Sequence, residues 1–123
     1  MIVPADTIRV EFAGNADRFV AGSTLEGTIH WSLPPTAGAV SGEVSVLWQT
    51  EGKGDTDQSI IHFEEIRGVD TNRIPLRVRL PLLPLTYRGK LLKIHWLVRV
   101  RVKPEHGREA VADTPFVLTA PSE

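Results

Sequence analysis

The sequence contains no cysteine. Disulfide staples and thiolate metal sites are therefore excluded, and a chain without them suits a reducing compartment. Hydrophobic runs are short, and none approaches the ~18 apolar residues that a membrane-spanning helix needs. The opening MIVPADTIRV lacks a charged segment followed by an apolar one, so no secretory signal is visible. Helical periodicity and internal repeats are also missing. These absences predict a soluble, cytoplasmic protein with a single domain over residues 1–123 and no membrane span. At this length folding can bury roughly two-thirds of the surface that the unfolded chain exposes, enough for a core without covalent help.

What the sequence does have is alternation. In KLLKIHWLVRVRVK (Lys90–Lys103), Leu92, Ile94, Trp96, Val98, Val100 and Val102 share one parity, and Lys93, His95, Arg99, Arg101 and Lys103 the other. Successive side chains leave a strand on opposite sides, so this ribbon has one dry face and one wet face. Similar alternation runs through Thr7–Phe12, Leu25–Leu33, Glu43–Thr50 and Ile74–Leu80. Leu47 falls on a wet parity and predicts partial cover there. The stretch Gln58–Ile66 mixes its parities, which predicts a bulge. Pro75 assigns its strand to an edge, a strand start or a bulge, because proline cannot donate to a ladder. A last strand contains Val111, Phe116 and Leu118, with an interruption near Asp113-Thr114-Pro115. The proline-rich PLLPLTYRG (Pro81–Gly89) reads as a loop lying across the end of the fold with Tyr87 tucked in. About seven strands with turn signals between them predict an all-β, two-sheet antiparallel sandwich of immunoglobulin-like or arrestin-like type, its core built partly from Trp31, Trp48 and Trp96.

Chemistry-bearing patterns are sparse. His30, His62, His95 and His106 show no metal-ligand spacing, so no metal and no cofactor are expected. His62 and Glu64 share a parity, which would favour the charged imidazole. Glu64 and Glu65 point to opposite faces, wrong for a carboxylate dyad. No nucleophile elbow, phosphate loop or dinucleotide fingerprint occurs, and no enzyme activity is expected. The net charge of −1 divides unevenly: residues 1–66 carry three bases against ten acids, residues 67–123 eleven bases against five acids. Acidic early strands beside basic late ones would produce this by cross-strand pairing; a basic docking surface for an acidic partner would produce it too. Arg77, Arg79, Arg99 and Arg101 would line one face if their strands are neighbours. With no aromatic residues interleaved and a pI near 6.4, nucleic acid is not the expected partner.

Four pieces carry a family likeness: GSTLEGTIHW (Gly22–Trp31), VSVLWQTEGKGDTD (Val44–Asp57), LPLLPLTYRGKLLKIHWLVRVRV (Leu80–Val102) and ADTPFVL (Ala112–Leu118). The third is the most specific, with Pro81, Pro84, Thr86, Tyr87 and Gly89 in order. Together they resemble the arrestin-like family, including the bacterial sporulation-control proteins of that fold. The resemblance implies a β-sandwich that acts by protein–protein contact. Arrestin-fold proteins commonly carry two lobes, and this chain is similar to one, which self-association into a homo-oligomer would complete. The charged core with which visual-type arrestins sense phosphate has no clear match.

The expected function is a non-enzymatic adaptor or scaffold that binds protein partners through a sheet edge and a basic face formed by Arg77, Arg79, Arg99, Arg101 and Lys93. A small-molecule, sugar or ion site in the end loops (Thr36–Gly42, Glu51–Asp57, Leu82–Tyr87) is the alternative, as is a self-assembling structural module.

Overall fold

The structure is a computed structural model that describes residues 7–52, 54 and 56–121. The leader reading at residues 1–6, and Lys53 and Asp55 of the expected glycine-rich hairpin, lie outside them. Nine strands are described: β1 (Ile8–Phe12), β2 (Arg18–Val20), β3 (Thr24–Trp31), β4 (Val40–Gly52), β5 (Gln58–Val69), β6 (Arg73–Arg79), β7 (Tyr87–Arg88), β8 (Leu92–Pro104) and β9 (Ala110–Thr119). The smaller sheet has the order β1-β3-β6; the larger runs β2-β9-β8-β4-β5, with β7 paired to β8. The fold is all-β, as expected, but with nine strands rather than about seven. The two additions, β2 and β7, are three and two residues long, too short for a period to appear in sequence. One of the pairings, β2 with β9, is parallel.

Alternation places the core between the sheets. Leu25 and Ile29 of β3 and Leu76 and Val78 of β6 meet Val44 and Val46 of β4 and Trp96, Val98, Val100 and Val102 of β8. Trp31 and Trp96 are buried and Trp48 is half-buried against this core. Phe12, Phe19 and Phe116 meet edge to face at centroid distances of 5.3–6.1 Å, and Phe116 also packs on Trp96. Such pairs contribute about 0.5–1.5 kcal/mol beyond burial, and here they join β1, β2, β9 and β8.

The bulge in β5 is present. Register shifts between Val46 and Leu47, where Val46 faces His62 and Leu47 faces Ile60. The extra residue, Ile61, packs on the core while Phe63 and Glu65 point outward, which accounts for the mixed parities. Pro75 sits on β6, an edge strand. The interruption expected near Pro115 does not occur, and β9 runs unbroken. Beside Pro115 the strand is itself an edge, because β2 pairs only with Val117–Thr119.

Candidate functional site

One end of the sandwich gathers features that the rest lacks. Strands β3, β5 and β8 begin there, and β2, β4, β6 and β9 end there, as the registers Thr24↔Arg79, Gln49↔Gln58, Gly52↔Leu92 and Val20↔Thr119 require. The segment after β6 crosses this end and is held at several points. Leu80 N–H donates to Ser23 O at 2.8 Å, and Gly22 N–H to Pro81 O at 3.2 Å. The Trp96 indole Nε1–H donates to Pro84 O at 2.7 Å. Thr86 and Leu118 exchange two bonds, Thr86 N–H to Leu118 O at 3.0 Å and Leu118 N–H to Thr86 Oγ1 at 2.9 Å.

These ties send Leu80 and Leu85 inward and leave Leu82 and Leu83 in solvent. The β7–β8 hairpin adds Leu91 at its tip, where Gly89 N–H donates to Leu92 O at 2.9 Å. Leu82, Leu83 and Leu91 are 66%, 72% and 76% exposed, the three most exposed large hydrophobics among the described residues. Tyr87 stands in the same stretch at 49%, not tucked in as the sequence suggested. Its ring lies beside Gly89, where an added Cβ would come within 2.8 Å of it. A lone exposed leucine is ordinary; several at one end of a fold mark a surface that meets something else.

The same end is basic. Between Asp70 and Glu105 the sequence has no acid at all, while nine lysines and arginines occur. Of these, Arg79, Arg88, Lys90 and Lys93 lie at the leucine-bearing end, and among the described residues Arg79, Arg88 and Lys90 form no ion pair. Among the described residues the acids at this end are Glu51 and Asp57. The His95 imidazole, 2.9 Å away, and then Lys93 hold the exposed Glu51 carboxyl below its usual range. A hollow lined by Gln49, Thr50, Glu51, Asp57, Gln58 and His95 lies beside this pair; Tyr87 takes no part in it.

The basic face expected from sequence is not formed. Arg77 and Arg79 belong to the small sheet, Arg99, Arg101 and Lys93 to the large one. Three of the five are also committed to acids. Arg77 lies 3.5 Å from Glu26, and Arg101 lies 2.8 Å from Glu109. Arg99 grips Asp113 with two bonds of 2.8 and 3.0 Å, which raises the guanidinium pKa further. Of the Lys and Arg ion pairs among the described residues, those of Arg77 with Glu26 and of Lys103 with Glu43 join the basic half of the sequence to the acidic half across strands, as cross-strand pairing favours. His62 Nε2 lies 2.6 Å from Glu64 Oε1, the same-face neighbours of the sequence pattern. His30 and His95 each approach a glutamate as well, Glu11 and Glu51. Among the described residues no group of three or more His, Cys, Asp or Glu side chains is arranged to hold a metal ion.

No protein-family model matches this chain, and no curated protein matches it. Among solved structures it is similar to the superoxide reductase (neelaredoxin) from Ignicoccus hospitalis. The TM-score is 0.57 at 9% identity, over 92% of this chain and 80% of that one. At that identity the likeness carries the fold alone.

The adaptor reading is corrected on two grounds. The structural likeness found is to an enzyme, which gives an adaptor role no support. The basic face that was to supply selection is divided between two sheets and largely paired internally. The residues that sequence reasoning missed are Leu82, Leu83, Leu91, Arg88 and Lys90. Their signal was the acid-free run with two leucine doublets inside it, Leu82-Leu83 and Leu91-Leu92.

Proposed function

We propose that the chain is a non-catalytic β-sandwich, an arrestin-type lobe, that docks peripherally on anionic lipid through its leucine-bearing end. The observation that carries this reading is the coincidence of Leu82, Leu83 and Leu91 with the unpaired Arg79, Arg88 and Lys90 at one end of the fold. Burying a leucine side chain contributes about 1.5–3 kcal/mol, and a base near an anionic leaflet roughly 1 kcal/mol. Either set alone binds weakly; together they act as the two signals that stable surface anchoring requires. No helix among the described residues is long and apolar enough to cross a membrane, so the contact is with the surface. Anionic lipid is concentrated on the cytoplasmic leaflet, which agrees with a cysteine-free chain working in the cytoplasm.

The use made of the family-like residues supports the arrestin-type part of the reading. Pro84 presents its carbonyl to Trp96, Thr86 clamps Leu118, and Gly89 closes the hairpin that lifts Leu91. The superoxide chemistry in the neighbour's name is not carried over. At 9% identity the likeness carries the fold and not the chemistry.

Sedimentation with phosphatidylserine-containing vesicles tests the reading. Binding is expected with those vesicles, falling steeply as salt rises, and little with phosphatidylcholine alone. Equal partition into both, or none into either, would overturn it.

A further inference from the structure

Strands β5 and β6 are each last in their sheet, and among the described residues they do not pair with one another. Where these edges meet at the leucine-bearing end, a hollow of about 460 Å³ opens, lined by Gly22, Ile61, Arg79, Leu80, Pro81 and Leu82. Ile61, the residue that the β5 bulge turns inward, packs on the core, and Leu80 is buried in it. Gly22 contributes bare backbone, and an added Cβ there would crowd Leu82 Cδ2 at 3.1 Å. Its N–H donates to Pro81 O at 3.2 Å, which ties the two walls together.

The lining carries one charge and nothing that neutralises it. Among the described residues Arg79 forms no ion pair, and no acid lines the hollow. The acids on β3 and β5 that face the same region are paired elsewhere, Glu26 with Arg77 at 3.5 Å and Glu64 with His62 at 2.6 Å. A guanidinium beside apolar walls holds an anion more strongly than one in open water, and its planar fork matches two phosphate oxygens. Mostly apolar walls with one placed charge fit an amphiphile better than a bare ion. Leu82 is also one of the exposed leucines, so the hollow opens on the surface proposed to meet lipid. Its volume lies low in the range of about 300–1,000 Å³ usual for ligand pockets, room for a head group and the start of its chains.

We infer that this hollow holds the head of a single anionic phospholipid, with its phosphate on Arg79 and the first carbons of its chains against Ile61, Pro81 and Leu82. The inference rests on the lipid-docking reading and adds to it a site of one-to-one stoichiometry. Partition onto a charged surface needs only leucines and bases; a site of this kind also selects one lipid by its head.

Titration of the whole chain with dihexanoyl phosphatidylserine, kept dilute enough to stay monomeric, tests the inference by NMR. Saturable shifts are expected at the amides of Gly22, Ile61 and Leu82. Arg79→Gln should raise the dissociation constant about tenfold or more, since a charge-assisted contact to phosphate is lost. Arg79 is exposed, so the substitution should not prevent folding, and circular dichroism checks that. Arg108→Gln, in the turn between β8 and β9, should leave the affinity unchanged. Dihexanoyl phosphatidylcholine, without the net charge, should bind about tenfold more weakly, and so should glycerophosphoserine, the same head without its chains. Absence of a saturable shift overturns the inference. So does wild-type affinity in Arg79→Gln, or equal affinity for phosphatidylcholine or for the bare head. Vesicle sedimentation separates this result from the docking reading. Vesicle binding without monomer binding keeps that reading and removes the single-lipid site, and monomer binding without vesicle binding does the reverse.

Discussion

Trp96, at the centre of β8, donates its indole N–H to the carbonyl of Pro84, 2.7 Å away in the segment that crosses the end of the sandwich. The bond joins a strand of the core to the proline-rich segment between β6 and β7. Its ring is fully buried and packs on Phe116, so the donor comes from a fixed position. Among the described residues no buried side-chain nitrogen or oxygen is left without a partner, and this bond accounts for one that otherwise would be. The loop that exposes Leu82 and Leu83 is in this sense an extension of the core.

Replacing Trp96 by Phe keeps an aromatic ring in the core but removes that donor. A lost buried hydrogen bond costs roughly 1–3 kcal/mol, and the smaller ring adds a cavity cost. Denaturant unfolding should show a lower midpoint with little change in slope. Hydrogen exchange should show faster opening at Leu118, whose amide is held by Thr86 in the same loop.

Gly42 on β4 pairs with Val102 on β8. A Cβ there would run into the backbone oxygen of Arg101, a clash that only backbone displacement can relieve. Gly42→Ala should therefore destabilise the fold by about 1–3 kcal/mol, the range for overpacking, although alanine is the smaller perturbation in most strands. Gly54→Ala, with nothing within 4 Å of the added carbon, is the control for space, while its φ of +98° leaves some backbone strain.

The Glu51 carboxyl is held below its usual range by the His95 hydrogen bond and by Lys93. A depressed carboxylate pKa adds stability above the unfolded-state value, and that stability is lost as pH falls through the folded value. Glu51 is exposed, so the effect on unfolding is small and the titration itself is the better readout. Carbon-detected NMR should place the Glu51 midpoint below that of an ordinary glutamate, and His95→Ala should move it upward.

Much of the fold was legible because parity is a local property. The dry face of β8, the partial cover over Leu47, the bulge that turns Ile61 inward and the edge position of Pro75 all follow from which residues alternate and which cannot donate. Sheet membership is not local. Parity indicated that Arg77 and Arg99 both face water, but not that β6 pairs with β3 while β8 pairs with β4 and β9. The expected basic face failed on that distinction. Leu82 and Leu83 were harder still, since a proline-rich loop has no period. Their exposure follows from where Ser23, Gly22 and Trp96 anchor the backbone on either side.

Placing a single reporter at each end of the sandwich tests the central claim most directly. The chain has no cysteine, so Leu91→Cys and, in the turn between β8 and β9, Arg108→Cys each accept one environment-sensitive fluorophore at a unique site. On addition of vesicles containing phosphatidylserine, the label at position 91 should shift to the blue and become shielded from an aqueous quencher, while the label at 108 should not change. No shift at 91, or the same shift at both ends, would contradict the account.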